Sequence, residues 1–150
     1  MKRHSSISEH AVSILRKVKK HILEEPKRLD MENWLIVGDN VRIIYGRNAP
    51  ACGTVGCIAG WVNVLGNSNY DYNYFSSYRI AENAAEILKI SYYPNYINEK
   101  YIITQGNLAQ LFVLHSWPSK YLNAYKKAKS PAGRARVTAN RIEYFIWTGL

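Results

Sequence analysis

Residues 50–65 read PACGTVGCIAGWVNVL, from Pro50 to Leu65, and this stretch decides the fold. It holds both cysteines, Cys52 and Cys57, together with Gly53, Gly56, Gly60 and Trp61. Between Val55 and Leu65 the only polar side chain is Asn63. A helix that is apolar all round has no face to give to water, so it belongs at the centre of a larger helical assembly. Thr54 is suited to N-cap it and Gly66 to stop it, which predicts a buried central helix over about 55–65. In such a helix Gly56 and Gly60 stand four residues apart, next to Ala59. Small residues at that spacing let a second helix approach closely, which offsets the ~1 kcal/mol that a glycine costs a helix interior.

Working outward, the flanks read as further helices with short connections. Ser6 and Glu9 have capping-box spacing, and Ala11, Ile14, Leu15, Val18 and Ile22 recur at helical intervals. Pro26 ends that first helix, expected over about Ile7 to Glu25. Asp30 is placed to cap a short helix through Met31 to Leu35. Val41 to Tyr45 is β-branched and aromatic and suits one short strand. Residues 67–77, NSNYDYNYFSS, read as a polar loop rich in tyrosine. Ser76 or Ser77 caps a helix over about 78–90, with Ile80, Ala84, Ile87 and Leu88 facing inward. Thr104 opens another, carrying Leu108, Leu111 and Phe112. Pro118 starts a helix to about Lys129, and Ser130-Pro131 starts the last, which runs to Trp147 with Ala135, Ala139, Ile142 and Ile146 buried and Gly149 as its stop. The expected fold is an all-α, compact single-domain bundle of about six helices over residues 1–150.

A chain of 150 residues can bury such a core without metal or disulfides. Two cysteines are too few for a disulfide framework, and the basic N-terminus lacks the apolar run of a secretory signal. We therefore expect a cytoplasmic protein with reduced thiols and no membrane span. The net charge is +9 and unevenly placed: residues 1–28 hold eight Lys/Arg against three acids, 29–119 five against seven, and 120–150 seven against Glu143 alone. Basic ends suit an acidic partner, although solvated cations also serve solubility alone.

Three kinds of chemistry are open to these residues. Cys57 would stand in the first turn of the central helix, where the helix dipole favours a thiolate. A nucleophile there needs a base, and His21 and His115 are the candidates. The ordinary alternative is that both cysteines are small buried residues at a tight junction. A metal site would need further ligands that the sequence does not group, and no phosphate-loop or other cofactor motif is present, so neither metal nor cofactor is expected. Lys126, Lys127, Lys129, Arg134, Arg136 and Arg141 crowd a helix–turn–helix junction and form the candidate anion- or nucleic-acid-binding surface. The residues Cys52, Gly53, Thr54, Gly56, Cys57, Ala59, Gly60 and Trp61 are read as structural core.

Cys52, Gly53, Thr54, Cys57, Ala59, Gly60 and Trp61 match a Cys-Gly-Thr-x-x-Cys-x-Ala-Gly-Trp motif, so the chain resembles an uncharacterised bacterial and phage-type family of small proteins. HILEEPKRLDMENW at 21–34, and Leu111, Phe112, Trp117 and Pro118, extend the resemblance. It implies no activity. The expected function is a small cytoplasmic interaction or regulatory protein that binds a protein partner, more an adaptor than an enzyme. The alternatives are a nucleic-acid-binding module using residues 120–141, and a thiol-dependent enzyme or redox switch centred on Cys57.

Overall fold

The computed structural model describes residues 2–32, 35–36, 55–66, 77–90, 96–97, 100–101 and 108–150. The first helix, α1, spans Glu9–Glu24. Its N-cap is Ser8, whose hydroxyl accepts from the Ala11 N–H at 3.1 Å. The expected box of Ser6 with Glu9 is therefore two residues early, and Ser6 Oγ lies 2.7 Å from His4 Nδ1 instead. The cause is the tether just upstream. The His4 N–H donates to the Ile146 carbonyl at 2.9 Å, and Ile7 is fully buried, so the backbone before Ser8 is already committed. Ala11, Ile14, Leu15, Val18 and Ile22 form the buried stripe. A single 3-10 turn, Pro26–Arg28, follows. Asp30 caps no helix: its carboxylate accepts from the Glu32 N–H at 2.9 Å, closing a local turn.

The central helix, α2, spans Ile58–Gly66, three residues shorter at its start than expected. Val55–Gly56 is instead a strand, β2, paired antiparallel with β1 at Leu35–Ile36 in the register Leu35 to Gly56 and Ile36 to Val55. The Gly56 carbonyl also accepts from the Asp30 N–H at 3.1 Å. Extended backbone at 55–56 thus satisfies the chain that approaches α2 from outside. The Gly56/Gly60 contact face does not exist, because Gly56 is not helical. Thr54, Cys52, Gly53 and the strand expected at 41–45 lie outside the described residues, as do the loop at 67–76 and Thr104. Every residue from Ile58 to Asn63 is buried.

Helix α3 spans Ser77–Leu88 and buries Ile80, Ala81, Ala84, Ala85 and Leu88. It packs on α2, and the contact has a polar centre. Asn63 Nδ2 donates to the Ala59 carbonyl at 2.8 Å and to the Ile80 carbonyl at 2.9 Å, and the Asn83 amide donates to Asn63 Oδ1. A short hairpin pairs β3, Tyr96–Ile97, with β4, Lys100–Tyr101. Helix α4 covers Ala109–Phe112 and leads through a 3-10 turn at Leu114–Ser116 into α5, Ser119–Lys127. Trp117 is pinned beneath by its Nε1 donating to the Leu111 carbonyl at 2.8 Å. The last helix, α6, spans Pro131–Thr148. Its ends are those expected: the Ser130 hydroxyl accepts from the Gly133 N–H, and Gly149 stops it with φ 70°.

The fold is all-α, with six α-helices and two minimal strand pairs among the described residues. Helix α1 lies between α2 and α6, α2 packs on α3, and α5 packs on α6. One buried cluster draws on all six helices. No helix of the described residues is long and apolar enough to cross a membrane.

Gly66 is a close-contact glycine of α2. A Cβ there would meet Ile87 Cγ2 at 2.7 Å and Ile14 Cγ2 at 3.2 Å, so α3 and α1 both close on this point. Both neighbours are β-branched and stiff at χ1, which leaves little room to give. Gly66→Ala is expected to lower stability by about 1–3 kcal/mol, read by urea denaturation. An unchanged midpoint would show that the contact relaxes freely.

Candidate functional site

Cys57 sits at the mouth of α2. Its carbonyl accepts from the Trp61 N–H at 3.0 Å, and its sulfur faces the N–H groups of Ala59 and Gly60, so it occupies the N-cap position. The side chain is 2% exposed. Burial pushes the thiol up to about 11, and the N–H groups that would favour a thiolate only partly offset it. The expectation of a dipole-activated nucleophile is thus corrected: desolvation outweighs the helix terminus, and the sulfur works as a cap.

The two histidines differ. His21 lies on the Trp61 ring, with centroids 4.0 Å apart, and its Nε2 is buried with no hydrogen-bond partner among the described residues. Burial, and then the Arg28 charge, lower its pKa below 6.5. Trp61 is itself fixed by Nε1 donating to the Arg28 carbonyl at 3.0 Å. His21 is therefore part of the packing around the central helix. His115 is exposed on the 3-10 turn after α4. It shares with Cys57 a cavity of about 260 Å³, whose other walls include Met31, Glu32 and Phe112. The sequence thus named two residues that the fold brings to one cavity, but the thiol there is protonated at neutral pH. Among the described residues no three His, Cys, Asp or Glu side chains gather as a metal site.

A second concavity was not anticipated from the sequence. It is a broad groove of about 780 Å³ between α1 and α6, walled by Arg16, Lys19, Lys20 and Leu23 on one side and by Glu143 and Trp147 on the other. Glu143 receives Arg16 Nε at 3.2 Å and Lys19 Nζ at 3.0 Å. Burial alone would raise its carboxyl, but these two hydrogen bonds and charges outweigh it and hold the pKa below the ordinary value. The Arg16 guanidinium stands 6.0 Å from the Trp147 ring centroid. Lys20 has a looser pairing with Glu24, at 3.7 Å between largely exposed side chains. Leu23, 40% exposed, is the one exposed large hydrophobic among the described residues. Its sequence signal was an apolar residue lying off the buried stripe of α1.

The basic junction needs one correction. Arg141 is fully buried, so it belongs to no binding surface. Its guanidinium donates to the Leu150 main-chain oxygen and, at 2.8 Å, to the Gln110 carbonyl, and it stands 5.9 and 5.7 Å from the Tyr121 and Tyr144 ring centroids. Burial pushes it down to about 10. The reason is periodicity: position 141 lies one turn from Thr138 and Phe145, both on the buried side of α6. Lys126, Lys127, Lys129, Arg134 and Arg136 are exposed. Of the residues assigned to the core, Gly56, Cys57, Ala59, Gly60 and Trp61 are buried.

No protein-family model, curated protein or solved structure matches the chain. The functional reading therefore rests on the geometry.

Two outcomes follow for the thiol and the imidazole. With a pKa near 11, Cys57 is thiolate to about one part in a thousand at pH 8, so its alkylation by iodoacetamide should track unfolding. Peptide mapping should show native labelling at least ~100-fold slower than in urea. Rapid native labelling at Cys57 would reverse the assignment. His21 has a folded-state pKa below its unfolded 6.5, so the unfolded chain takes up the proton first as pH falls through that value. Stability is then lost below pH 6.5 until the folded form protonates too. Relative to wild type, His21→Gln should gain ground in urea melts as pH falls through this window. A constant difference across it would show that His21 does not titrate differently in the two states.

Proposed function

We propose that this chain is a small, non-catalytic interaction protein that receives a segment of a protein partner in the groove between α1 and α6. The observation that carries the reading is Leu23: the one exposed large hydrophobic of the described residues lies in a groove beside Trp147 and under three cations. Isolated exposed leucines are ordinary, but one next to a half-buried tryptophan and an arginine has the composition of an interface centre. The fitting partner presents an apolar side chain to Leu23 and Trp147, with carboxylates nearby. Lys20, held among the described residues by the loose contact with Glu24 alone, is the cation most open to exchange. The protonated Cys57 supports binding over catalysis. A cytoplasmic setting, in which two cysteines stay reduced, fits this reading.

The test is site-specific photo-crosslinking from benzoylphenylalanine at position 20 in native lysate, with and without nuclease. A discrete protein adduct that resists nuclease is expected. Leu23→Asp should reduce it at least about tenfold, the equivalent of ~1.4 kcal/mol. An adduct indifferent to Leu23→Asp, or one that nuclease removes, would reject the groove as a protein site.

A further inference from the structure

The two basic ends of the chain are not equivalent in space. On and just before α1, four cations have carboxylates among the described residues: Arg3 pairs with Glu9, Arg16 and Lys19 with Glu143, and Lys20 with Glu24, while Lys17 pairs with none. On α5 and α6 they do not. Between Glu99 and Glu143 the sequence contains no acidic residue. Within that span Lys120, Lys126, Lys127, Lys129, Arg134 and Arg136 are all exposed, and none makes an ion pair among the described residues. Like charges gathered without counter-charges repel one another, and an external polyanion relieves that repulsion while releasing its own counterions.

We propose that the α5–α6 face binds the phosphate backbone of duplex nucleic acid without reading its sequence. Arg134 anchors the face. Its Nε donates to the Ala128 carbonyl at 3.2 Å and its guanidinium lies 5.7 Å from the Tyr125 ring centroid, which fixes the side chain before any ligand arrives. Lys126 and Lys127 close the last turn of α5, and Lys129 stands in the three-residue connection to α6. The grip comes from side chains rather than from the helix terminus. Pro131 has no N–H, and the Gly133 N–H is already held by Ser130 Oγ at 3.0 Å. Asp30 and Glu32, whose charges reach the Tyr125 hydroxyl, set the acidic edge of the face.

The form of the ligand follows from what the described residues of the face lack. Single strands are bound by stacking bases on exposed aromatic rings. Here Tyr125 is buried against Trp117, with centroids 5.6 Å apart, and the part-buried Tyr121 and Tyr144 rings lie against each other at 5.3 Å. Lysines and arginines without stacking rings suit a regular double-stranded phosphate array. DNA and RNA duplexes share that chemistry.

The experiment is fluorescence anisotropy of the full chain with labelled 20-base-pair DNA and RNA duplexes of arbitrary sequence, and with a 20-nucleotide oligothymidylate. Four or five phosphate contacts predict that affinity for a DNA duplex falls by roughly 100-fold or more between 50 and 200 mM salt. Lys126→Glu/Lys127→Glu/Arg136→Glu should weaken duplex binding at least ~30-fold and flatten the salt slope. Lys17→Glu/Lys20→Glu/Lys2→Glu, with the same change of net charge, should weaken it less than ~3-fold. Leu23→Asp should leave it unchanged, which separates this surface from the groove. Binding of either duplex supports the proposal, and the tighter one names the source. Equal losses in the two triple variants, a preference for oligothymidylate, or no binding at 50 mM salt would overturn it. If the glutamate triple fails to fold by circular dichroism, the corresponding glutamine triple answers the same question.

Discussion

A helix whose only internal polar side chain is Asn63 must be covered on every side, and that one amide must be satisfied inside the cover. Leaving a buried amide unpaired costs about 1–3 kcal/mol. Asn63 avoids this by bonding to its own helix at Ala59 and across to Ile80, with Asn83 completing the network. The arrangement fixes more than an energy. Hydrophobic packing alone would let α3 slide along α2, whereas the two directed bonds that cross between them define one axial register. Gly66 sets the other coordinate, because α3 and α1 converge where it has no side chain. With α2 and α3 locked, α1 lies along α2, α6 along α1, and α5 on α6.

The same burial decides the chemistry of Cys57. A cysteine at a helix start has two opposing influences, exposed N–H groups that favour the thiolate and loss of water that disfavours it. At 2% exposure the second wins. His21 obeys the same rule with the opposite charge sign: burial against Trp61 favours its neutral form. A thiol kept protonated and an imidazole kept neutral are what the centre of a fold needs. They are also what makes the neighbourhood of α2 a poor place for nucleophilic catalysis at neutral pH.

The helices were legible because their signals are local. Apolar residues at intervals of three and four marked α1, α3 and α6, while Pro131 and Gly149 marked the ends of α6. The start of α2 was not legible, because it depends on a partner remote in sequence. Gly56 is extended to serve Leu35 and Asp30, and nothing within residues 50–65 announces that pairing. The cap of α1 was displaced for a similar reason, the bond from His4 to Ile146. Arg141 was misplaced by its chemistry. An arginine in a basic run reads as surface, yet its spacing from Thr138 and Phe145 put it inside. The groove was invisible until α1 and α6 were set side by side, since Leu23 and Trp147 are far apart in sequence.

Charge pairing separates the two faces that remain. Arg16 and Lys19 are drawn together by Glu143, a carboxylate on the neighbouring helix that is itself partly buried. Their charge is largely spent on holding α1 to α6, so what the groove offers a newcomer is chiefly apolar surface with an ionic rim. The α5–α6 face is the reverse. Tyr125 is buried, Arg141 is withdrawn into the core, and the remaining cations face water with no carboxylate on their own helices before Glu143. A surface composed that way gains little from shape complementarity and much from a regular array of negative charge. The net charge of +9 is thus a poor guide by itself. What matters is which cations the fold has already neutralised, and that is a property of helix packing rather than of composition.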